Sequence, residues 1–233
     1  MDTSDITNII ADSSWFQGVP REVLHQLALS AHLEHHKKKS YLYKVNDIVD
    51  QVYFIVSGNI RISLSSNIGN QLHLKNFGPG VWLGEFGLMS NDPQIMDLEF
   101  KEAGETLNLN CKQVNEIAQQ YPIIYQNILK DHDSRTRGTY QILKSMLFNP
   151  LKSRLAGRIL HIVKDLEINQ DGSVYIDAKI SQKELANQTH GSRQHVYKIL
   201  KQWTEDGIIL TKGSKFFIPN VSRLKQEAYL LDK

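Results

Sequence analysis

The stretch Ser181-Gln-Lys-Glu-Leu-Ala-Asn-Gln-Thr-His-Gly-Ser-Arg-Gln-His-Val-Tyr-Lys-Ile-Leu200 decides how the rest of the chain is read. Ser181 with Glu184 three residues on has the spacing of a capping box and predicts a helix start. Leu185 and Ala186 are the apolar positions of that helix, and alanine lets a second helix cross closely. Thr189-His-Gly-Ser192 breaks the run, and Ser192 can cap a new helix. In that helix Val196, Ile199, Leu200 and Trp203 fall at i, i+3, i+4 and i+7, a single buried stripe. The opposite face carries Arg193, Gln194, Tyr197, Lys198 and Lys201. Arginine bonds guanine bidentately, glutamine bonds adenine, and lysine reaches guanine or phosphate. Two short helices armed in this way form a helix-turn-helix, whose second helix offers its N-terminal residues to the major groove.

The flanking sequence extends this unit. Glu205-Asp-Gly207 predicts a glycine C-cap. Ile208-Ile-Leu210 and Phe216-Phe-Ile218 bracket Lys212-Gly-Ser-Lys215, a β-hairpin with a basic tip. A helix-turn-helix followed by a hairpin is a winged helix, and Lys212 and Lys215 can contact phosphates. Upstream, Leu151 to Asp165 predicts a helix with Leu151, Leu155, Ile159, Ile162 and Val163 inward, and Val174-Tyr-Ile176 a short strand after the Asp171-Gly172 turn. Base readout is expected from Arg193, Gln194 and Lys198, with Ser192, Tyr197 and Lys201 positioned on phosphates.

Residues 121–148 have helical periodicity and end at Asn149-Pro150, because the residue before proline disfavours the α conformation. A helix of this length would reach about 40 Å. Two of them packed along a seam would pair two subunits. The expected interface is Ile124, Ile128, Arg135, Thr139, Ile142 and Met146, with His132 and Thr136 as further polar interruptions. The alternative is a helix packed only on its own N-terminal domain.

The N-terminal part changes period. Trp15, Phe16, Val23, Leu24, Leu27 and Leu29 have mixed helical spacing, with Pro20 near a helix start. From about Tyr41 the period is two: Val52, Phe54 and Val56 alternate, Gly58 turns the chain, and Ile60, Ile62 and Leu64 alternate again. Ser65 to Asn70 reads as a loop, and Phe77-Gly-Pro-Gly80 as a turn. Many short strands separated by glycine turns predict an antiparallel roll. Trp82-Leu-Gly-Glu-Phe-Gly-Leu-Met89 places a carboxylate between two glycines, which suits a turn with backbone amides aimed at a ligand. The fold class is therefore α+β: residues 1–120 an antiparallel β-roll sensor, 121–148 a dimerisation helix, and 149–233 a winged-helix DNA-binding domain.

Bulk properties agree. The chain has 233 residues, one cysteine (Cys111) and a formal net charge of +2. Residues 149–233 carry +5 and residues 1–148 carry −3, a mild basic bias at the end that would meet nucleic acid. The lone cysteine excludes an intrachain disulfide framework and points to a reducing, cytoplasmic compartment. It also excludes a four-thiolate iron–sulfur cluster held by one chain. No apolar run is long enough to span a bilayer, and the N-terminus lacks the pattern of a secretory signal.

The order Asp50-Gln-Val-Tyr-Phe-Ile-Val-Ser-Gly-Asn-Ile-Arg61, then Phe77-Gly-Pro-Gly80, then Gly84-Glu-Phe-Gly-Leu88, then a winged helix with Ser192-Arg-Gln, resembles the Crp/Fnr family of bacterial transcription regulators over roughly residues 13–220. The resemblance implies a cyclic-nucleotide-binding-like β-roll, a long dimer helix and a DNA-binding winged helix. It also implies homodimers on inverted-repeat operators, double-stranded DNA as partner, and RNA polymerase as a further one. The candidate effector pocket is then Gly84, Glu85, Phe86 and Gly87 with Ile95, Met96 and Thr139.

Two departures stand out. Cyclic-nucleotide binders of the family have an Arg-Ser or Arg-Thr pair about ten residues after the Gly-Glu turn, where it holds the cyclic phosphate. Here that stretch is Asn91-Asp-Pro-Gln-Ile-Met-Asp-Leu98, with Ile95 at the arginine position and Asp97 close by. Burying a phosphate there without a cation would cost several kcal/mol, so cyclic AMP in the family's usual mode is not expected and the effector is left unassigned. The turn glycine of the family falls at His190, with Gly191 adjacent, so either the turn shifts by one residue or His190 takes positive φ.

His32, His35, His36, His73 and His132 raise haem or metal ligation, but His35-His36 followed by Lys37-Lys-Lys39 reads as a solvated loop; no metal site and no cofactor are expected. No Walker loop, nucleophile elbow or zinc-spaced cluster is present, so no catalytic residue is expected and an enzyme is disfavoured. The competing reading is a ligand-binding signalling module whose winged helix mediates protein contacts.

Overall fold

The computed structural model describes residues 2–65, 71–164, 166–176, 181–212 (backbone alone at 211 and 212) and 215–228. The chain divides into two compact units, Met1–Thr139 and Tyr140–Lys233. The division falls inside the long helix, whereas the sequence reading places it at residues 120–121 and 148–149. No helix among the described residues is long and apolar enough to cross a membrane.

The first unit begins with α1 (Thr3–Asp12), a 3-10 turn (Ser14–Phe16) and α2 (Arg21–Ser30). Helix α1 has a full capping box between Asp2 and Asp5, a start that the sequence reading misses. Then come β1 (His32–His36), β2 (Tyr41–Tyr43), β3 (Gln51–Ser57), β4 (Ile60–Ser65), β5 (Gln71–Phe77), β6 (Trp82–Leu83), the short helix α3 (Glu85–Met89), β7 (Asp97–Phe100) and β8 (Gly104–Asn110). They pair into two antiparallel four-stranded sheets, in the orders β1-β8-β3-β6 and β2-β7-β4-β5. Helix α4 (Cys111–Gln120) follows without a break, capped by Asn110.

Strand β3 shows why the alternation holds. Tyr53 and Ile55 point into the core between the sheets, with Ile60, Leu83, Leu98 and Phe100. Val52, Phe54 and Val56 point the other way, into a second core built with Trp15, Phe16, Leu24, Leu27 and Val114 from the helices. The strand is therefore apolar on both faces, as a strand covered on both sides must be. Cys111 lies in that helix-side core, where burial pushes its thiol up to about 12.

Helix α5 (Ile123–Phe148) spans 26 residues. Its first turns belong to the first unit: Ile124 and Ile128 are fully or almost fully buried in the helix-side core. The second unit holds α6 (Leu151–Val163), β9 (Val174–Ile176), α7 (Gln182–Gln188), α8 (Arg193–Glu205), β10 (Leu210–Lys212), β11 (Lys215–Ile218) and α9 (Val221–Ala228). Strands β9, β11 and β10 form one antiparallel sheet with β11 central. Its core gathers Leu155, Ile159 and Val163 of α6 with Leu185, Ala186, Val196, Leu200 and Trp203. Full burial of each large aliphatic side chain there stabilises the unit by about 1.5–3 kcal/mol.

Candidate nucleic-acid interface and effector site

The helix-turn-helix is built by two serine caps and one close approach. Ser181 Oγ accepts the Glu184 N–H at 3.1 Å and starts α7; Ser192 Oγ accepts the His195 N–H at 3.2 Å and starts α8. Between them His190 takes φ 53°, so the turn keeps its register and His190 accepts the left-handed conformation. Gly191 allows close packing instead. A Cβ there would sit 2.4 Å from Leu151 Cδ1, so the turn is pressed directly onto the start of α6. The Gly191 N–H then bonds Ala186 O at 2.9 Å.

This frame fixes which face of α8 is free. Val196, Leu200 and Trp203 are buried, while Arg193, Gln194, Tyr197, Lys198 and Lys201 are exposed along one side with Ser192 at its start. Arg193, Gln194 and Lys198 have no hydrogen bond or ion pair among the described residues, whereas Lys201 pairs with Glu205 at 3.9 Å. Gly207, with φ 64°, ends the helix. Lys215 stands exposed where β11 begins, opposite Lys212 in the hairpin register. The Lys212 side chain and the tip at Gly213 and Ser214 lie outside the described residues.

Arg154, absent from the sequence-based site, ties the turn to its surroundings. From α6 its Nε donates to Thr189 O at 2.9 Å and its Nη1 to Asn149 O at 2.6 Å, with longer contacts to Met146 O and His190 O at 3.4 Å. Four backbone carbonyls thus share one guanidinium. Its partners are backbone atoms brought together only by the turn, so no residue pattern announces them.

The candidate effector turn is organised by Arg135, which the sequence reading assigns to the subunit seam. Instead its guanidinium turns into its own unit. Nη1 donates to Glu85 Oε1 at 3.0 Å, Nε and Nη2 grip Asp131 one turn earlier, and Nη2 also meets Trp82 O. The fork lies 5.0 Å over the Phe77 ring, and Asp131 also accepts from Trp15 Nε1 at 2.9 Å. Glu85 is therefore buried and already paired. The i,i+4 spacing of Asp131 and Arg135 is a sequence signal for half of this cluster.

The other predicted pocket residues separate. Gly84 has φ 95° and abuts the backbone of β3, and Gly87 lies inside the one-turn helix α3 rather than closing a loop. Phe86 meets His132 edge to face. Met96 packs against the inter-sheet core, but Ile95 is 62% exposed and supplies no apolar wall. Asp97 is buried at the start of β7, where it accepts from Val45 N–H at 2.9 Å and from the Ser65 hydroxyl. Its carboxylate holds the roll together and needs no ligand.

Along α5 the predicted seam must also be corrected. Ile124 and Ile128 pack in the helix-side core of their own chain, and Arg135 is held by Glu85 and Asp131, so all three side chains are engaged within their own unit. Ile142 and Met146 are half-buried, and Thr139 is exposed with its hydroxyl on Arg135 O. The exposed apolar face is instead Leu129, Tyr140, Leu143 and Leu147, each between 48% and 68% exposed. With Thr136 these fall at steps of seven, four, three and four residues, a heptad spacing one face round from the predicted interface.

Comparison with known proteins joins the two halves. The cyclic nucleotide-binding domain family matches residues 33–121, and the Crp-like helix-turn-helix domain family matches residues 153–227. The CRP-like cAMP-activated global transcriptional regulator of Mycobacterium tuberculosis is 21% identical over 220 residues, covering 94% of this chain and 98% of that one. The cAMP-activated global transcriptional regulator CRP of Salmonella typhimurium is 23% identical over 190 residues, covering 80% and 89%. Among solved structures, the c-di-GMP responsive global regulator CLP of Xanthomonas campestris superposes with a TM-score of 0.72 at 18% identity, covering 85% of this chain and 99% of that one. A transcriptional regulator of the CRP/FNR family from Thermus thermophilus superposes with a TM-score of 0.61 at 22% identity, covering 84% and 98%. With a cyclic nucleotide-binding domain and a Crp-like helix-turn-helix in the family's order, the chain belongs to the Crp/Fnr family of transcription regulators.

Proposed function

We propose that this regulator binds DNA as a symmetric homodimer, reads an inverted-repeat operator through α8, and does not respond to cyclic AMP. The observation that carries the DNA reading is the exposed Arg193, Gln194 and Lys198, without partners among the described residues, opposite a buried stripe on the same helix. A winged helix serving protein contacts would not need three cationic or amide side chains held clear of their neighbours on a rigid helix. Arg193, Gln194 and Lys198 contact bases; Ser192, Tyr197, Lys201, Lys212 and Lys215 position the domain on phosphates. The apolar face of α5 supports the dimer, since Leu129, Tyr140, Leu143 and Leu147 give a heptad seam to a second copy.

The ligand reading rests on Glu85. In a nucleotide-binding turn this carboxylate would be available to a ligand hydroxyl, but here Arg135 holds it at 3.0 Å. A cyclic nucleotide would have to displace that pair before Glu85 could meet its hydroxyls. The relatives named as cAMP-activated are between 21% and 23% identical, low enough for the sensed molecule to have changed.

Arg193→Ala should weaken binding to a cognate operator by about 1–3 kcal/mol and relax preference at one base pair. Titration of labelled cognate and scrambled duplexes checks this; unchanged affinity for both would remove Arg193 from base readout. Leu143→Glu should turn the dimer into monomers and weaken operator binding with it, measured by sedimentation and by the same titration. A variant that stays dimeric would move the seam elsewhere. Cyclic AMP at millimolar concentration should give no saturable heat in calorimetry and no gain in operator affinity. Binding with Kd near micromolar, about −8 kcal/mol, would mean that Arg135 releases Glu85 and serves the nucleotide.

A further inference from the structure

Behind the recognition turn lies a cleft of about 400 Å³, bordered by Ser145 of α5, Ser153, Arg154, Gly157 and Arg158 of α6, and His190. Nothing in the DNA-binding reading uses it. Its volume lies within the range of small-molecule sites.

The lining is cationic and short of partners. Arg154 and Arg158 stand one helical turn apart on the same side of α6, and neither has an ion-pair partner among the described residues. Arg154 satisfies its N–H groups on backbone carbonyls, which carry no full negative charge. Arg158 uses its Nε on Gln188 Oε1 at 2.7 Å, and that is its only hydrogen bond among the described residues. Glu184 acts on Arg158 through space without forming an ion pair. Two further polar groups border the cleft. Among the described residues neither the Ser153 hydroxyl, on a residue 4% exposed, nor the buried His190 Nδ1 has a hydrogen-bond partner. A buried polar group without a partner carries a desolvation penalty, and in a folded protein such groups call for an explanation.

We infer that this cleft is a binding site for a small organic phosphate, with the Arg158 guanidinium as its main anchor and Ser153 and His190 as flanking polar groups. A guanidinium fork suits phosphate and carboxylate alike. Phosphate is favoured because the polar groups that border the cleft come from both α6 and the recognition turn. A tetrahedral anion can meet them together, whereas a carboxylate presents two oxygens in one plane. The volume exceeds what a bare phosphate fills, leaving room for an organic body beside Gly157, where a Cβ would meet nothing within 4 Å.

That space at Gly157 gives a test that does not depend on removing a charge. Calorimetric titration of the full chain without DNA would use inorganic phosphate, glucose 6-phosphate and acetate as probes. Glucose 6-phosphate should bind saturably and more tightly than phosphate, and acetate weakest. Gly157→Leu, which improves helix propensity while filling the cleft, and Arg158→Gln should each weaken glucose 6-phosphate binding by about tenfold or more. Arg193→Ala, on the DNA-reading face, should leave that binding unchanged. Melting temperatures without ligand establish that the variants are folded. The assignment is overturned if neither folded variant weakens binding, if Arg193→Ala abolishes it, if acetate binds as tightly as the phosphates, or if no probe binds the unaltered chain.

Discussion

The Arg135 guanidinium is the constraint on which the first unit depends. It is one side chain with five donors, and it meets a carboxylate on its own helix, a carboxylate on α3, the Trp82 carbonyl that begins β6 and the face of Phe77. Glu85 is 8% exposed. A buried carboxylate is tolerable only when paired, and removing one partner of such a pair costs about 3–5 kcal/mol. Through Asp131 the same fork reaches Trp15 Nε1, so the N-terminal helices, the sensor turn and α5 share one polar network inside an otherwise apolar core. A ligand that needs Glu85 must compete with that network. This is a stronger obstacle than the missing cation at Ile95, which is exposed and lines nothing.

The second unit has its own version of the same arrangement. Arg154 gathers the last carbonyls of α5 and those of the recognition turn, while Gly191 lets that turn press on Leu151. The position of α8 is set by backbone atoms held from behind, which leaves its outward face with no structural duty. For that reason Arg193, Gln194 and Lys198 have no partner among the described residues. Burial lowers the pKa of Arg154 and Arg158 from the ordinary arginine range, as expected for guanidiniums held in a half-buried site without carboxylate partners.

Much of this is legible in the chain because local rules and tertiary structure agree. The caps at Ser181 and Ser192, the stripe through Val196 and Trp203, the C-cap at Gly207 and the alternation through β3 and β4 each follow from spacing alone. The order of motifs identifies the family. What escapes are features that depend on distant partners. The first turns of α5 are as apolar as a dimer seam, but Ile124 and Ile128 pack in the core of the N-terminal helices, whose own stripe of Ile6, Ile9 and Ile10 lies far away in sequence. Arg135 reads as a polar break in a seam because Glu85 lies 50 residues away in sequence. Arg154 bonds only to backbone, and backbone partners leave no trace in residue type. Ile95 is placed by counting from a family motif, and the loop before β7 turns its side chain to solvent.

The most direct measurement is selection of bound fragments from sheared genomic DNA by the purified full chain, without added nucleotide. Enrichment of an inverted repeat with half-sites about one helical turn, roughly 34 Å, apart is the predicted result. Recovery of fragments no different from the input, or of single unrepeated half-sites, would contradict a symmetric dimer that reads sequence through α8.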